Sequence, residues 1–231
     1  LYNKKLPRIS QISQIFYSYL NYVIDTDYYK SSALFLYKNL YFSTPSVASS
    51  IKFDMKTILL FLLPLLPLWG QTPATVIHTK ANLYQVDSLL YRSEQLVKAD
   101  KEMILRTPIK TIINLRYFTR SKDRKVFSPA DGITLINHPL LTWRITPKDI
   151  AQVLQRIRRA QQQGAVLIHC YHGADRTGIM VAMYRIIYHG WSIAAAKKEM
   201  LQGPYGYHSI WKNLEALFTE KTVKEVRELL K

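Results

Sequence analysis

The order of apolar segments predicts an α/β fold: a central, mostly parallel sheet flanked by helices, with a helical C-terminal part. Three observations carry it. Apolar runs at 111–115, 133–138 and 165–169, rich in β-branched residues, have strand length and little polar alternation, as strands buried on both faces do. Helical patterns fall at 101–106, between Thr146 and Gly164, and at 177–189, and strands alternating with helices imply parallel pairing. The last strand runs straight into a tight loop and a helix start.

Taken in order, residues 1–54 do not read like the rest. They hold eight of the 16 tyrosines, no glycine and only three acids, and they show no sustained period. We expect a non-native or disordered extension here, with Met55 as the true start. Residues 55–74 then follow the order of a secretory signal peptide: Met55-Lys56, an apolar run at 57–69 broken by Pro64 and Pro67, and the small-residue stretch 70–74. That run of 13 residues falls short of the ~20 needed to cross a bilayer, so export is expected and a permanent anchor is not. The remaining domain is placed at 75–231.

Within it, 83–86 and 89–91 read as short strands and 101–106 as a short helix stopped by Pro108. Thr146 and Pro147 form a helix start, with Ile150, Val153, Leu154 and Ile157 as its apolar stripe. The helix at 177–189 is apolar on most sides and should be buried. Helices at 192–201, 207–218 and 222–230 complete the chain.

Composition sets the partner class. The formal net charge is +16, and it stays basic from Gln71 onward, with 25 lysines and arginines against 13 acids. An acidic partner follows: a phosphorylated substrate, nucleic acid or an anionic membrane. The single cysteine, Cys170, excludes an internal disulfide.

That cysteine stands in His169-Cys170-Tyr171-His172-Gly173-Ala174-Asp175-Arg176-Thr177-Gly178, between the strand and the helix. Successive backbone N–H groups and a helix N-terminus together form a cradle for an oxyanion. The same field favours a thiolate over a thiol, and a thiolate facing a phosphate pocket is a nucleophile with its substrate in place.

The decapeptide resembles the protein tyrosine phosphatase signature H-C-x-x-G-x-x-R-[ST], with His169, Cys170, Gly173, Arg176 and Thr177 at its fixed positions. Tyr91-Arg92-Ser93-Glu94-Gln95 resembles the opening segment of bacterial dual-specificity phosphatases, and 113–116 and Ala196–Met200 add weaker matches, so the resemblance spans roughly 80–220. It implies a two-step, metal-independent and cofactor-free mechanism. Cys170 attacks phosphorus and water then hydrolyses the phosphocysteine. Arg176 and the backbone of Tyr171, His172, Gly173 and Ala174 bind the phosphate, Thr177 supports the sulfur, and His169 is structural.

Relatives often carry an Asp on a loop some thirty residues before the cysteine, but 140–148 contains no acid. Asp149 has a capping role at Thr146, and Asp131 precedes its strand. Asp175, next to Arg176 as in the myotubularin family, is the expected general acid, with mere ordering of the loop as the alternative. Arg116, Arg120, Lys122, Arg124 and Lys125 crowd a neighbouring strand end, with Arg144 and Lys148 nearby. Either this is a solvated basic loop, or it implies a substrate with several negative charges: a phosphoprotein, a phosphoinositide or an inositol phosphate. Three rivals stand beside this reading. An arsenate reductase would relay through further cysteines, and none exists. An RNA 5′-phosphatase resembles the loop, but an export signal argues against nucleic acid. A non-catalytic phosphate-binding module would more typically lack Cys170 or Arg176.

Overall fold

The computed structural model describes residues 71–231. The extension expected at 1–54, and the expected signal segment as far as residue 70, lie outside the described residues.

Six strands form one sheet: β1 (Thr75–His78), β2 (Leu83–Gln85), β3 (Leu90–Ser93), β4 (Ile109–Arg116), β5 (Thr134–Leu140) and β6 (Ala165–His169), in the order β1-β2-β3-β6-β4-β5. β3, β6, β4 and β5 pair in parallel, while β1 and β2 add an antiparallel edge. The parallel core is the expected one. β1 is not foreshadowed, because an edge strand whose Val76 and Ile77 stay exposed has no burial pattern to read.

The described residues also form the helices α1 (Lys101–Leu105), α2 (Pro147–Ala160), α3 (Asp175–Tyr188), α4 (Ile193–Gln202), α5 (Lys212–Glu215) and α6 (Glu220–Leu229). Strand alternation divides the core between the two faces of the sheet. Leu90, Ile113, Leu115, Val166 and Ile168 pack with α2, α3 and the C-terminal helices, while Tyr91, Ile112, Ala165 and Leu167 pack with α1 and the adjoining turns. β6 is buried along its whole length, as the centre of the parallel set must be.

α2 begins where its capping residues put it: the Thr146 side chain accepts from the Asp149 N–H, and Asp149 accepts from the Thr146 N–H. Its stripe Ile150, Val153, Leu154 and Ile157 is fully buried. α3 has no polar face, and eleven of its residues are buried, which makes it the central helix of the larger layer.

The helix expected at 207–218 is a correction: only the single turn Lys212–Glu215 forms. Gly206 takes a positive φ of 79°, the His208 N–H is drawn to the Asp175 carboxylate, and the Tyr207 hydroxyl donates to the Trp211 carbonyl. Tertiary partners thus take the groups a helix would use, and 203–211 becomes a loop laid against α3.

Leu154→Ala removes a fully buried side chain from between α2 and the sheet. It is expected to lower the unfolding free energy by about 2–5 kcal/mol in a urea titration.

Candidate active site

The parallel strands carry their C-terminal ends to one rim, and the loop after β6 lies there. Cys170 is free, 2% exposed, and sits where the strand ends. What the sulfur faces depends on which way the loop's peptide groups point.

Four consecutive carbonyls of the loop are held from outside it. His169 Nδ1 lies 3.0 Å from the Cys170 carbonyl, and the Gln95 N–H donates to Tyr171 O at 3.0 Å. Asn82 Nδ2 donates to His172 O at 2.8 Å, and Arg92 Nη2 to Gly173 O at 2.7 Å. In a trans peptide the N–H opposes the C=O. Fixing these oxygens outward therefore turns the N–H groups of 171–174 inward, where they join the first N–H groups of α3. None of the 171–176 amides has a partner among the described residues. Such convergent donors are an anion site.

Gly173 is required twice. Its φ is +70°, and a Cβ there would stand 2.5 Å from the Ser93 carbonyl oxygen and 2.7 Å from the Glu94 nitrogen. The loop packs directly on the end of β3, with no room for a side chain.

Arg176 follows in the first turn of α3. Its Nη1 reaches the Leu140 carbonyl at 3.4 Å, and its buried Nε has no partner. The Thr177 hydroxyl, fully buried, has none either. Buried donors without partners are rare, and here they follow Cys170 in sequence and lie at the cradle. They are what a phosphate oxygen and a cysteine sulfur would satisfy.

Two further arginines adjoin. Arg92 is buried and stacks 3.7 Å from the Tyr205 ring, and burial brings its pKa down to about 10, while Tyr205, Glu199 and Cys170 favour its charge. Arg116 ends β4. Burial lowers its pKa and so does Arg176, whereas Tyr171, Asp123 and Cys170 favour its charge. Gln95 Oε1 and Thr119 Oγ1 accept from it at 2.8 and 2.7 Å, and it lies 4.8 Å over the Tyr171 ring. Thr119 holds φ +58°, an outlier for a β-branched residue. The other non-glycine residue with positive φ among those described is Asn82. Both hold parts of the cradle.

His169 is wholly buried, its Nε2 3.1 Å from Asp123 Oδ2 and its Nδ1 toward the Cys170 carbonyl. Asp123 also accepts from Gln95 at 2.7 Å and Asn114 at 2.9 Å. Burial opposes its charge, but the bonds from His169, Gln95 and Asn114 hold the carboxyl below its ordinary range. Sequence reasoning misses Asp123, Asn82 and the role of Arg92. The only signal for Asp123 is one acid among the four cations of 117–125.

Asp175 opens α3, 8% exposed, and accepts from the His208 N–H at 3.0 Å, with His208 Nδ1 at 3.0 Å from its other oxygen. His172 completes a group of three whose ligand atoms lie within 4.8 Å of one another, the one set among the described residues able to hold a cation. Asp149 caps α2, and Asp131 pairs with Lys101 at 2.8 Å; both carboxyls are committed there. Tyr205 is core, with its hydroxyl on Glu199 and its pKa pushed up to about 12 by burial.

Comparison with known proteins bears on this geometry. Residues 65–210 match the family model described as DSP-PTPase phosphatase fused to NAD+ kinase. The dual specificity protein phosphatase TpbA of Pseudomonas aeruginosa (strain UCBPP-PA14) is 32% identical over 143 residues, which is 62% of this chain and 62% of that protein. The match thus spans less than two thirds of the length of that relative. The crystal structure of P. aeruginosa TpbA superposes with a TM-score of 0.63 at 28% identity, covering 70% of this chain and 98% of that one. The catalytic domain of the PP-IP phosphatase SIW14 from S. cerevisiae shares the fold, with TM-score 0.53 at 19% identity over 65% of this chain and 94% of that one.

A depressed carboxyl such as Asp123 contributes stability at pH values above the unfolded carboxylate pKa, ~3.9, and loses it as pH falls through the folded value. Asp123→Asn, at a site 4% exposed, is therefore expected to cost about 3 kcal/mol at pH 7. The difference from wild type should shrink toward pH 3, as read by urea melts at both values.

Proposed function

This chain belongs to the DSP-PTPase phosphatase family, and from that premise we propose that it hydrolyses phosphate monoesters through a phosphocysteine at Cys170. One observation carries the proposal: four loop carbonyls are held outward by His169, Gln95, Asn82 and Arg92, so the facing amides converge beside the sole cysteine.

The chemistry follows from the placement. The Cys170 thiolate attacks phosphorus, the bond to the ester oxygen breaks, and the leaving alkoxide or phenoxide takes a proton. Water then attacks the phosphocysteine, gives up a proton, and releases inorganic phosphate and the thiolate. The loop amides and the Arg176 guanidinium hold the equatorial oxygens, where charge concentrates in the transition state. Thr177 offers its hydroxyl to the departing sulfur.

Proton delivery is assigned to the Asp175–His208 pair. Asp175 accepts the His208 backbone N–H and lies 3.0 Å from its ring Nδ1, which leaves the other ring nitrogen, Nε2, to carry hydrogen to the rim. The same couple can return a proton from water in the second step.

The substrate is a dianionic phosphate on a protein tyrosine, serine or threonine, or on a polyanion such as a phosphoinositide or inositol phosphate. Arg116 beside Arg176 supports a second negative group. A crystal structure of a cysteine-to-serine variant of P. aeruginosa TpbA is of its complex with pTyr, which is consistent with the same first step. Export through residues 55–74 belongs to the proposal too. A fusion of that segment to a reporter active only outside the cytoplasm should be active, and an inactive fusion removes export.

Cys170→Ser is expected to abolish hydrolysis of p-nitrophenyl phosphate in the presence of a chelator, and retained turnover would overturn the mechanism. Asp175→Asn and His208→Gln should each lower kcat by ~10²-fold or more on an alkyl phosphate. They should change p-nitrophenyl phosphate turnover far less, because that leaving group needs little help. Equal losses on both substrates would remove the pair from proton transfer.

A further inference from the structure

Large apolar side chains that remain in water are distributed unevenly over this protein. Among the described residues six are more than half exposed: Val76, Val97, Phe118, Trp143, Tyr171 and Ile210, at 51, 56, 68, 59, 52 and 77%. All but Val76 stand at the rim of the cradle. Val97 follows β3, Phe118 follows β4, Trp143 follows β5 and Tyr171 follows β6. Ile210 lies in the loop bound to Asp175 through His208 and tied to Thr142 through Asn213. Each parallel strand thus ends in an exposed apolar tip around one pocket.

Basic side chains dominate two loops of this face, against the half-buried acids Glu94 and Asp100 beside Val97 and Asp149 next to Lys148. Arg120, Lys122, Arg124 and Lys125 in one loop, and Arg144 and Lys148 in the next, carry the positive charge at the surface. The one acid between residues 116 and 125, Asp123, is buried against His169, Gln95 and Asn114. No acid lies between 140 and 148.

We propose that this face docks on an anionic lipid bilayer, with the apolar collar in the interfacial layer and the cations against lipid phosphates. Separate loops place the tips around the pocket rather than along a groove. A bound peptide would follow one line across such a ring, whereas a planar bilayer meets every tip at once. Trp, Tyr and Phe beside Lys and Arg is the composition that the interface favours, and the excess of exposed cations at 120–125 and 144–148 complements anionic headgroups. The cradle then opens toward the membrane surface, and the phosphate it receives is lipid-borne. Only that last step rests on the proposed activity; docking itself does not require Cys170 to react.

The test is flotation of the full chain with vesicles of phosphatidylcholine containing about 30 mol% phosphatidylglycerol, in about 50 mM salt, where charge is weakly screened. Binding should fall about tenfold without the anionic lipid, and again about tenfold in the double variant Phe118→Ser, Trp143→Ser. The double variant should keep its melting temperature and its p-nitrophenyl phosphate turnover. Brominated lipids should quench wild-type tryptophan fluorescence more than that of Trp143→Phe. No flotation on anionic vesicles, or flotation unchanged by the double variant, overturns the proposal. So does a double variant that loses only affinity for a phosphotyrosine peptide, which would make the collar a protein-binding surface. Cys170→Ser should float like wild type. Flotation without hydrolysis leaves docking standing and the activity failed, and hydrolysis without flotation does the reverse.

Discussion

The structure depends on holding a set of backbone amides pointed at one another. Left alone, a loop of five residues would point its N–H groups at water, because convergent donors repel and nothing local repays the arrangement. Here the constraint is applied from behind, at the carbonyls. Residues from the end of β3 and from the turn before β2, together with the ring of His169, accept that task. Three of the four donors come from chain segments at least 76 residues away from the carbonyls they bind, so the cradle exists only in the folded state. Its preorganisation is stored in folding free energy, and little is left to be ordered when a phosphate arrives.

The holding groups are themselves costly to bury, and each is answered in kind. Arg92 and Arg185 are the largest fully buried side chains among the described residues. Arg92 is stabilised by the face of Tyr205, which is edge-on to Tyr84 and bonded to Glu199. Glu199 in turn pairs with the buried Arg185. Asp123 plays the matching role on the other side, fixing His169 while Gln95 and Asn114 complete its shell. Gln95 also ties this shell to Arg116, since its amide oxygen accepts from that guanidinium. Removing one member of such a network leaves a buried group uncompensated, which outweighs the modest value of the bond itself.

What the sequence makes legible divides along the same line. Cys170, Gly173, Arg176 and Thr177 are spaced by local geometry, a strand end, a tight turn and one helical turn, so their pattern survives in linear order. The parallel core and the capped start of α2 are legible for the same reason. Arg92, Asn82 and Asp123 act across 81, 90 and 46 residues, and nothing near them announces the partner. Asp123 is hidden by its neighbours, because a run of cations reads as a solvated loop even when its one acid is the residue turned inward. The 207–218 segment misleads in the opposite direction: its helical composition is real, but Asp175 and Trp211 offer its polar groups better partners.

The electrostatics of the rim extend this argument from shape to occupancy. Arg176 lies close enough to Arg116 to oppose its charge, and Arg116 is held in place by Thr119 in a backbone conformation that costs of order 1–3 kcal/mol. Two guanidinium groups held together against repulsion, beside inward amides and an unpartnered Nε, form a site under cationic stress. A single negative charge relieves part of it, and a dianion relieves more. Thr119 and Gln95, which accept from Arg116 at 2.7 and 2.8 Å, hold that concentration of positive charge in place before any anion enters.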